Sequence, residues 1–261
     1  MKIGVCASPD KLPIIEDLGY DYIETTFSWL TSLNEAEFLQ QTAFVERFSV
    51  SSEAFNLFFS GEVKLYAPDG NQDLILRELS AYAEKGFSRA SLWGGKVAVI
   101  GSGLARGIPE GMTREQTERQ FARVLAVCGE AADKYGMKIV VEPLSYGESN
   151  YIHTVAEGAA AARLSNNSAV GVLVDFFHHH NNNEDPNTLP NYGDILYHVH
   201  YARPVDRLAP EEEDAPKLTA LAALLKQCPK AERISLECIW KPDFESAVTS
   251  ARPLMEIFKR S

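Results

Sequence analysis

Short apolar runs alternate with longer amphipathic segments from one end of the chain to the other. The runs are mostly rich in Val, Ile and Leu, a composition that favours parallel strands buried on both faces over antiparallel ones. Eight strands are predicted, over residues 3–6, 22–25, 49–55, 96–101, 138–142, 169–175, 195–200 and 233–237.

The amphipathic segment after each run carries helix signals. Asn34 is placed to cap one helix, and Thr113 with Gln116 three residues later predicts a capping box at the start of another. Pro253 predicts a kink in the last helix. Helices are predicted over residues 9–19, 34–47, 71–93, 113–135, 155–164, 186–192, 216–227 and 244–259.

Eight successive strand–helix units in 261 residues predict a single (β/α)8 TIM-barrel domain over residues 1–261. The alternative is a doubly wound open α/β sheet. The chain has no G-x-G-x-x-G after an early strand, which argues against the dinucleotide-binding version of that fold.

Composition narrows the classes of partner. The net charge of −11 makes nucleic acid and anionic membranes poor partners, and no apolar run approaches the ~20 residues that span a bilayer. The four cysteines form no C-x-x-C pair and are predicted to be reduced core thiols. We therefore expect a cytoplasmic protein that binds a small molecule.

Four consecutive predicted strands end in a side chain that can bind a metal: Glu142, Asp175, His200 and Glu237. A carboxylate behind a buried apolar run is costly unless it meets a cation or strong donors. The carboxyl ends of barrel strands face one mouth, so the four groups are expected to converge there. Three carboxylates and an imidazole suit a divalent ion, with Mn²⁺ favoured and Co²⁺, Mg²⁺ or Zn²⁺ also compatible.

Other polar residues lie near these strand ends. His178 is expected above the mouth, as a donor to a substrate oxygen or an extra ligand, whereas His179, His180 and the asparagines after them are predicted to form a solvated loop. His198 shares a strand face with His200 and is predicted to be an interior residue or a partner behind the ligands. Glu24, at the end of the second strand, either contacts substrate or pairs with a helix.

The residues around these positions resemble the xylose-isomerase-like TIM-barrel superfamily, in its D-tagatose 3-epimerase and sugar phosphate isomerase/epimerase branch. The resemblance lies in "VEPLSYGESN" (141–150), "DFFHHHNNNED" (175–185), "HVHYARPVDR" (198–207) and "SLEC" (235–238). It implies a metal site formed by the four strand-end residues, in which Glu142 and Glu237 also act as the acid/base pair. It further implies homo-oligomers, dimers or tetramers.

The resemblance also implies residues that contact substrate. Glu148 and His178 match the family's substrate-contacting Glu and His. The family's Arg follows the third ligand by about six residues; here Arg207 follows by seven, and Arg203 competes for the role or pairs with the acidic run at 211–214. Trp240 is placed either to stack on a sugar or to pack at the rim.

The implied activity is isomerisation or epimerisation of a sugar or sugar phosphate. A proton moves at a carbon next to a carbonyl, through an enediolate that a divalent ion stabilises. A metal-dependent dehydratase or lyase acting on a cyclitol or polyol, and a non-catalytic sugar-binding barrel, are the alternatives. A phosphodiesterase similar to endonuclease IV is disfavoured by the six histidines and the acidic charge.

Overall fold

Eight parallel strands close into a barrel in the computed structural model of the chain, which describes residues 1–260. Each strand pairs with the next in the sequence, and β8 pairs with β1. The (β/α)8 prediction is therefore confirmed and the open-sheet alternative is wrong. The strands are β1 (Lys2–Cys6), β2 (Tyr22–Thr26), β3 (Ser51–Asn56), β4 (Val97–Ile100), β5 (Lys138–Val141), β6 (Val170–Asp175), β7 (Leu196–Tyr201) and β8 (Arg233–Leu236).

Helices cover the outside of the barrel. Both predicted N-caps are present as capping boxes, at Asn34 and Thr113. The helices are α1 (Leu12–Asp17), α2 (Phe27–Ser32), α3 (Glu35–Val45), α4 (Asp73–Leu92), α5 (Gly103–Arg106), α6 (Arg114–Lys134), α7 (Val155–Leu164), α8 (Phe176–Asn181), α9 (Ala215–Leu225), α10 (Phe244–Met255) and α11 (Ile257–Arg260). Within residues 1–260, no helix is both long and apolar enough to cross a membrane.

The short helices α2 and α5 were not predicted, the predicted helix over residues 186–192 is a 3₁₀ helix, and two further regions differ from the predicted pattern. The predicted solvated loop after β6 is instead α8, which starts directly behind the strand because the Asp175 side chain accepts a hydrogen bond from the backbone N–H of Phe177 at 2.8 Å. His179 is buried, so the prediction that it is solvated is wrong. His180 is exposed, as expected. The last helix continues past Pro253 and is interrupted only between Met255 and Ile257.

The interior of the barrel changes from apolar to polar along the strands. A small cluster of alternate strand residues fills its lower part: Tyr22, Ala54, Val97, Val99, Val140 and Leu173. A Cβ on Gly4 would lie 2.3 Å from the Tyr22 ring, so glycine makes room for this floor. Glu24, two residues after Tyr22 on β2, and His200, paired with Asp175 across β6 and β7, are buried polar groups further along the barrel.

Strand pairing shifts by one residue at two places near these polar groups. One shift lies between Ile23 and Glu24 in the pairing of β2 with β3, and the other lies between Val172 and Leu173 in the pairing of β6 with β7. Such irregularities redirect side chains next to functional sites. Here they precede Glu24 and Asp175.

Candidate metal centre

The carboxyl ends of β5 to β8 bring four side chains together. Glu142 directly follows β5, Asp175 ends β6, His200 lies one residue before the end of β7, and Glu237 directly follows β8. Each offers one donor atom, and these atoms all lie within 4.8 Å of one another. The four groups thus converge as the strand ends predicted.

The electrostatics of this cluster fit a divalent cation. Burial, followed by the charges of Glu237 and Glu142, raises the pKa of Asp175 to about 8. Burial and the charge of Glu237 also raise the pKa of Glu142. Asp175 Oδ2 is a buried oxygen without a hydrogen-bond partner within the described chain. Crowded carboxylates with an unpaired oxygen form the donor set that a hard or borderline 2+ ion neutralises.

His200 connects this cluster to the barrel interior. Its Nε2 donates to Glu24 Oε1 at 2.9 Å, while its Nδ1 lies 3.3 Å from Glu142 Oε1 and 3.7 Å from Glu237 Oε2. Burial alone would lower the pKa of His200, but Glu24 and Glu237 raise it well above its ordinary value. A proton on Nδ1 therefore occupies the place where a ligating His presents its lone pair, and Glu24 fixes the ring from behind.

Glu24 is a residue whose role the sequence analysis missed. It is 1% exposed, and its second oxygen accepts from His198 Nε2 at 2.8 Å. Burial favours the neutral acid, but His200 and His198 outweigh it and hold the pKa of Glu24 well below its ordinary value. The expected pairing with a helix is wrong, since its partners are on β7. The signal lay in two histidines spaced i, i+2, which place two imidazoles on the interior side of one strand.

His198 has the interior position predicted for it. Its side chain is inaccessible to solvent, and burial lowers its pKa, so that the imidazole is neutral. His198 and His200 thus share the Glu24 carboxylate. His200, the protonated one of the two, lies next to the cluster.

His178 points its Nε2 into the cluster. The backbone N–H of Ser145 donates to Nδ1 at 3.2 Å, and the Ser145 hydroxyl lies 2.8 Å from the same nitrogen. Because Nδ1 accepts, the ring proton is on Nε2, which lies 3.6 Å from Asp175 Oδ2 and 3.9 Å from Glu148 Oε2. Burial, followed by the positive charges of Arg207 and His200, lowers the pKa of His178 to about 3. His178 is therefore a neutral N–H donor.

Arg207 joins the two sides of the mouth. Its guanidinium donates to Glu237 Oε2 at 2.9 Å and to Glu148 Oε1 at 3.2 Å, and it lies 4.9 Å above the Phe177 ring. Its backbone has a φ of +58°, an uncommon conformation for a non-glycine residue. The side chain of Arg207 is therefore positioned between Glu148 and Glu237 by a strained backbone conformation.

Two other sequence candidates lie outside this arrangement. Arg203 forms ion pairs with Asp206 and Glu211, the surface alternative raised by its acidic surroundings. Trp240 packs edge-on against Phe244, with ring centroids 5.1 Å apart. Within the described chain, neither residue lines the cavity above the cluster.

Behind Glu142, a fully buried arginine supports the backbone. Arg106 donates through Nε to the Gly101 carbonyl at 2.6 Å, through Nη2 to the Glu142 carbonyl at 2.7 Å, and through Nη1 to the Tyr151 carbonyl. A Cβ on Gly101 would lie 2.3 Å from Glu142 Oε2, so only glycine leaves space for this carboxylate.

A cavity of about 320 Å³ lies directly above the cluster. Glu142 and Glu237 line it together with Glu148, His178 and Arg207. Its size is at the lower end of typical ligand sites, roughly 300–1,000 Å³. A larger and more open depression of about 660 Å³ lies beside α2 and α4, and none of the four converging groups lines it.

The sequence pattern of the xylose isomerase-like TIM barrel family matches residues 12–260. The chain belongs to this family. The resemblance stated from the sequence motifs is thereby confirmed at the level of the family. A search of curated proteins finds no match to this chain.

Several solved structures share the fold over the whole chain. A 3-keto-D-glucoside 4-epimerase from E. coli has a TM-score of 0.79 at 18% identity and covers 100% of both chains. D-psicose 3-epimerase with D-tagatose from Clostridium cellulolyticum H10 has a TM-score of 0.80 at 15% identity, covering 100% of this chain and 99% of that one. An IolI protein with a bound zinc atom has a TM-score of 0.72 at 18% identity, with coverage of 100% and 99%. At these identities the likeness establishes the fold.

Proposed function

We propose that the protein is a divalent-metal-dependent sugar epimerase or isomerase that moves a proton at a carbon next to a carbonyl. One observation carries the proposal: Glu142 and Glu237 belong both to the four-residue cluster and to the wall of the cavity above it. Two carboxylates that could bind a metal can therefore also reach a ligand. Sugar epimerases among the structures with this fold support the same reaction class.

The proposed ligands are Glu142, Asp175, His200 and Glu237. Their oxygen-rich set with one imidazole favours Mn²⁺, with Co²⁺, Mg²⁺ or Zn²⁺ as further candidates; the similar IolI structure holds zinc. A divalent ion held there supplies Lewis-acid polarisation of the substrate carbonyl, which acidifies the neighbouring C–H bond.

The two glutamates carry out the proton transfers. One carboxylate removes the proton from carbon, and the electron pair of the broken C–H bond forms the carbon–carbon double bond of an enediolate. The other, which begins protonated, gives its proton to the opposite face of the same carbon for epimerisation; isomerisation instead delivers a proton to the neighbouring carbon. Glu142 and Glu237 both line the cavity, so either can serve as the acid while the other serves as the base.

Three further residues are proposed to orient the substrate. His178 Nε2–H is a neutral donor, Glu148 offers carboxylate oxygens, and Arg207 links Glu148 to Glu237. Arg203 and Trp240 are left out of this proposal, since their partners lie elsewhere. The substrate is a sugar or sugar phosphate.

Solvent deuterium exchange tests the proposal. A panel of ketoses, ketose phosphates and inosoles is incubated in D₂O with added Mn²⁺, and deuterium is located by NMR. Incorporation at one carbon next to a carbonyl is expected for at least one compound. Glu142→Gln and Glu237→Gln should each reduce its rate by at least about 10²-fold, because each removes one partner of the proton exchange.

The matched control is Glu130→Gln, an exposed glutamate on α6, which should leave the exchange rate unchanged. Loss of water from the substrate would instead identify a dehydratase. Binding of a sugar without exchange or conversion of any compound would refute the proposed chemistry and favour a non-catalytic barrel.

A further inference from the structure

A second groove adjoins the cavity above the cluster. It has a volume of about 460 Å³ and lies between the loops that follow β4 and β5. Gly103 and Glu148 line both spaces, so the groove and the cavity are contiguous. A ligand held at the cluster can therefore extend sideways into the groove.

The floor of this groove is held by specific contacts between the two loops. Asn150 Oδ1 accepts from the backbone N–H of Ile108 at 2.8 Å, and its Nδ2 donates to the Ile108 carbonyl at 3.1 Å. A Cβ on Gly103 would lie 2.6 Å from the Glu148 carbonyl oxygen, and one on Gly107 would lie 2.9 Å from Asn150 Oδ1. Glycine at these two positions lets the loops approach closely, and the amide of Asn150 fixes their spacing.

Two large side chains on the walls are unusually exposed. Tyr146 is 69% exposed and Leu104 is 88% exposed. The Tyr146 ring stacks on His153, with centroids 3.9 Å apart and an interplanar angle of 26°, and His153 Nδ1 lies 3.0 Å from the Leu144 carbonyl oxygen. One face of the tyrosine is thus supported from below while the ring remains open to solvent. A supported aromatic ring binds the apolar face of another ring with little further loss of conformational freedom.

Strained backbone marks the same two loops. Ser102 has a φ of +34° and Ile152 has a φ of +61°. Left-handed conformations are rare for residues other than glycine and especially unfavourable for a β-branched residue such as Ile152. Such strain is retained mainly where the surrounding structure and function require it. The loops that form the groove are therefore shaped for more than the connection of strands to helices.

We infer that the substrate carries a second ring. The sugar ring with the carbonyl lies in the cavity of about 320 Å³, and a ring joined to it through a glycosidic oxygen lies in the groove, stacked on Tyr146 and against Leu104. The substrate class is thus a keto-sugar glycoside rather than a free monosaccharide. This inference rests on the proposed function, because it places the reacting ring between Glu142 and Glu237.

Rates of exchange with matched substrates test the inference. The compounds are a 3-ketohexose, its methyl, phenyl and glucosyl glycosides, and free 2-ketohexoses, each with Mn²⁺ in D₂O. The parent protein should show a kcat/KM for a phenyl or glucosyl glycoside about tenfold or more above that for the methyl glycoside. A preference for phenyl identifies an apolar aglycone, and a preference for glucosyl identifies a second sugar.

Variants locate the preference in the groove. Tyr146→Ala should lower the ratio of kcat/KM between the ring-bearing and methyl glycosides by about fivefold, mainly through KM, as expected for the loss of one ring–ring contact. Leu104→Ala is a second variant with the same expected direction. The control Leu164→Ala replaces a leucine on α7 that is 57% exposed and lies outside the groove, and it should leave the ratio unchanged.

The outcomes separate this inference from the proposed function. Exchange that is equally fast with methyl and ring-bearing glycosides, or a ratio that Tyr146→Ala and Leu104→Ala leave unchanged, overturns the inference while the proposed epimerase or isomerase chemistry stands. Absence of exchange into every compound overturns both.

Discussion

Substitution of Gly101 by alanine tests the geometry of the cluster without removing any of its functional groups. Gly101 directly follows β4, and its α-carbon faces the carboxylate of Glu142. An added methyl group introduces no charge and no hydrogen bond. A change in metal affinity therefore reports displacement of Glu142, whereas turnover also responds to any narrowing of the cavity, which Gly101 lines.

The size of the displacement follows from the structure. The new Cβ would lie 2.3 Å from Glu142 Oε2, which is 0.7 Å inside the 3.0 Å below which real Cβ contacts essentially never occur. The backbone cannot easily retreat, because Arg106 binds the carbonyls of both Gly101 and Glu142. The carboxylate must turn away instead. Misplacement of a catalytic group by ~1 Å can cost about 10²-fold in rate, and we expect a loss of about that size in kcat.

The assay measures metal affinity by calorimetry and turnover by the deuterium exchange described above. Gly86→Ala is the matched control, since a Cβ there would meet the Phe27 ring at the same distance of 2.3 Å but far from the cluster. We expect Gly86→Ala to lower thermal stability and to leave the metal affinity of the folded protein unchanged. Gly101→Ala should instead affect metal affinity and kcat more than it affects thermal stability. If its Mn²⁺ affinity and kcat both stay within about twofold of the parent, Glu142 does not act from the position seen here.

Three further predictions concern the buried network around the cluster. Glu24→Gln should weaken Mn²⁺ binding by about 10–100-fold in a chelator competition, because the carboxylate that orients His200 is lost; unchanged affinity would show that Glu24 is only structural. In chelated protein the free energy of unfolding should fall as pH rises from about 7 to about 8, above the range in which the buried neutral histidines His178, His179 and His198 make stability rise with pH. Folded Asp175 keeps its proton to a pKa of about 8 whereas the unfolded chain releases it near 3.8, and folded His200 likewise holds a proton that the unfolded chain loses. Denaturant titrations should show that Mn²⁺ stabilises more at pH 8 than at pH 5, and equal stabilisation would contradict this assignment of protons. Arg106→Met should lower the unfolding midpoint markedly, because it leaves three buried carbonyl groups without their donor, and a midpoint equal to that of the parent would show that they find other partners.

The eight strands and the four converging side chains were predictable because both depend on local pattern. A buried apolar run ends where its next residue is polar, so Glu142 and Asp175 are visible at the ends of "IVVE" and "VLVD". Parallel strands in a barrel then place all such ends on one face. Convergence of the four groups needed no knowledge of loop structure.

The network behind them was not predictable, because its partners are far apart along the chain. Glu24 contacts His198 and His200 across 174 and 176 residues, and no periodicity records such a pair. The helix α8 was missed for a related reason. Its "FFHHHN" sequence has weak helix propensity, and contacts with distant segments stabilise it instead, such as the hydrogen bonds between Ser145 and His178.

The charges of the cluster explain why the site combines a buried carboxylate, Glu24, with carboxylates that line the cavity, Glu142 and Glu237. Glu142, Asp175 and Glu237 would repel one another if all were ionised, and in the absence of a cation the raised pKa values of Asp175 and His200 show that protons offset part of this charge. In the proposed metal site a divalent ion would replace these protons, so that metal binding and proton release would be coupled. Glu24, whose pKa is held low by His200 and His198, lies on the far side of His200 and would orient Nδ1 toward the proposed ion. In this proposal Glu24 would raise the metal affinity through His200, while Glu142 and Glu237, which line the cavity, would remain accessible to the substrate.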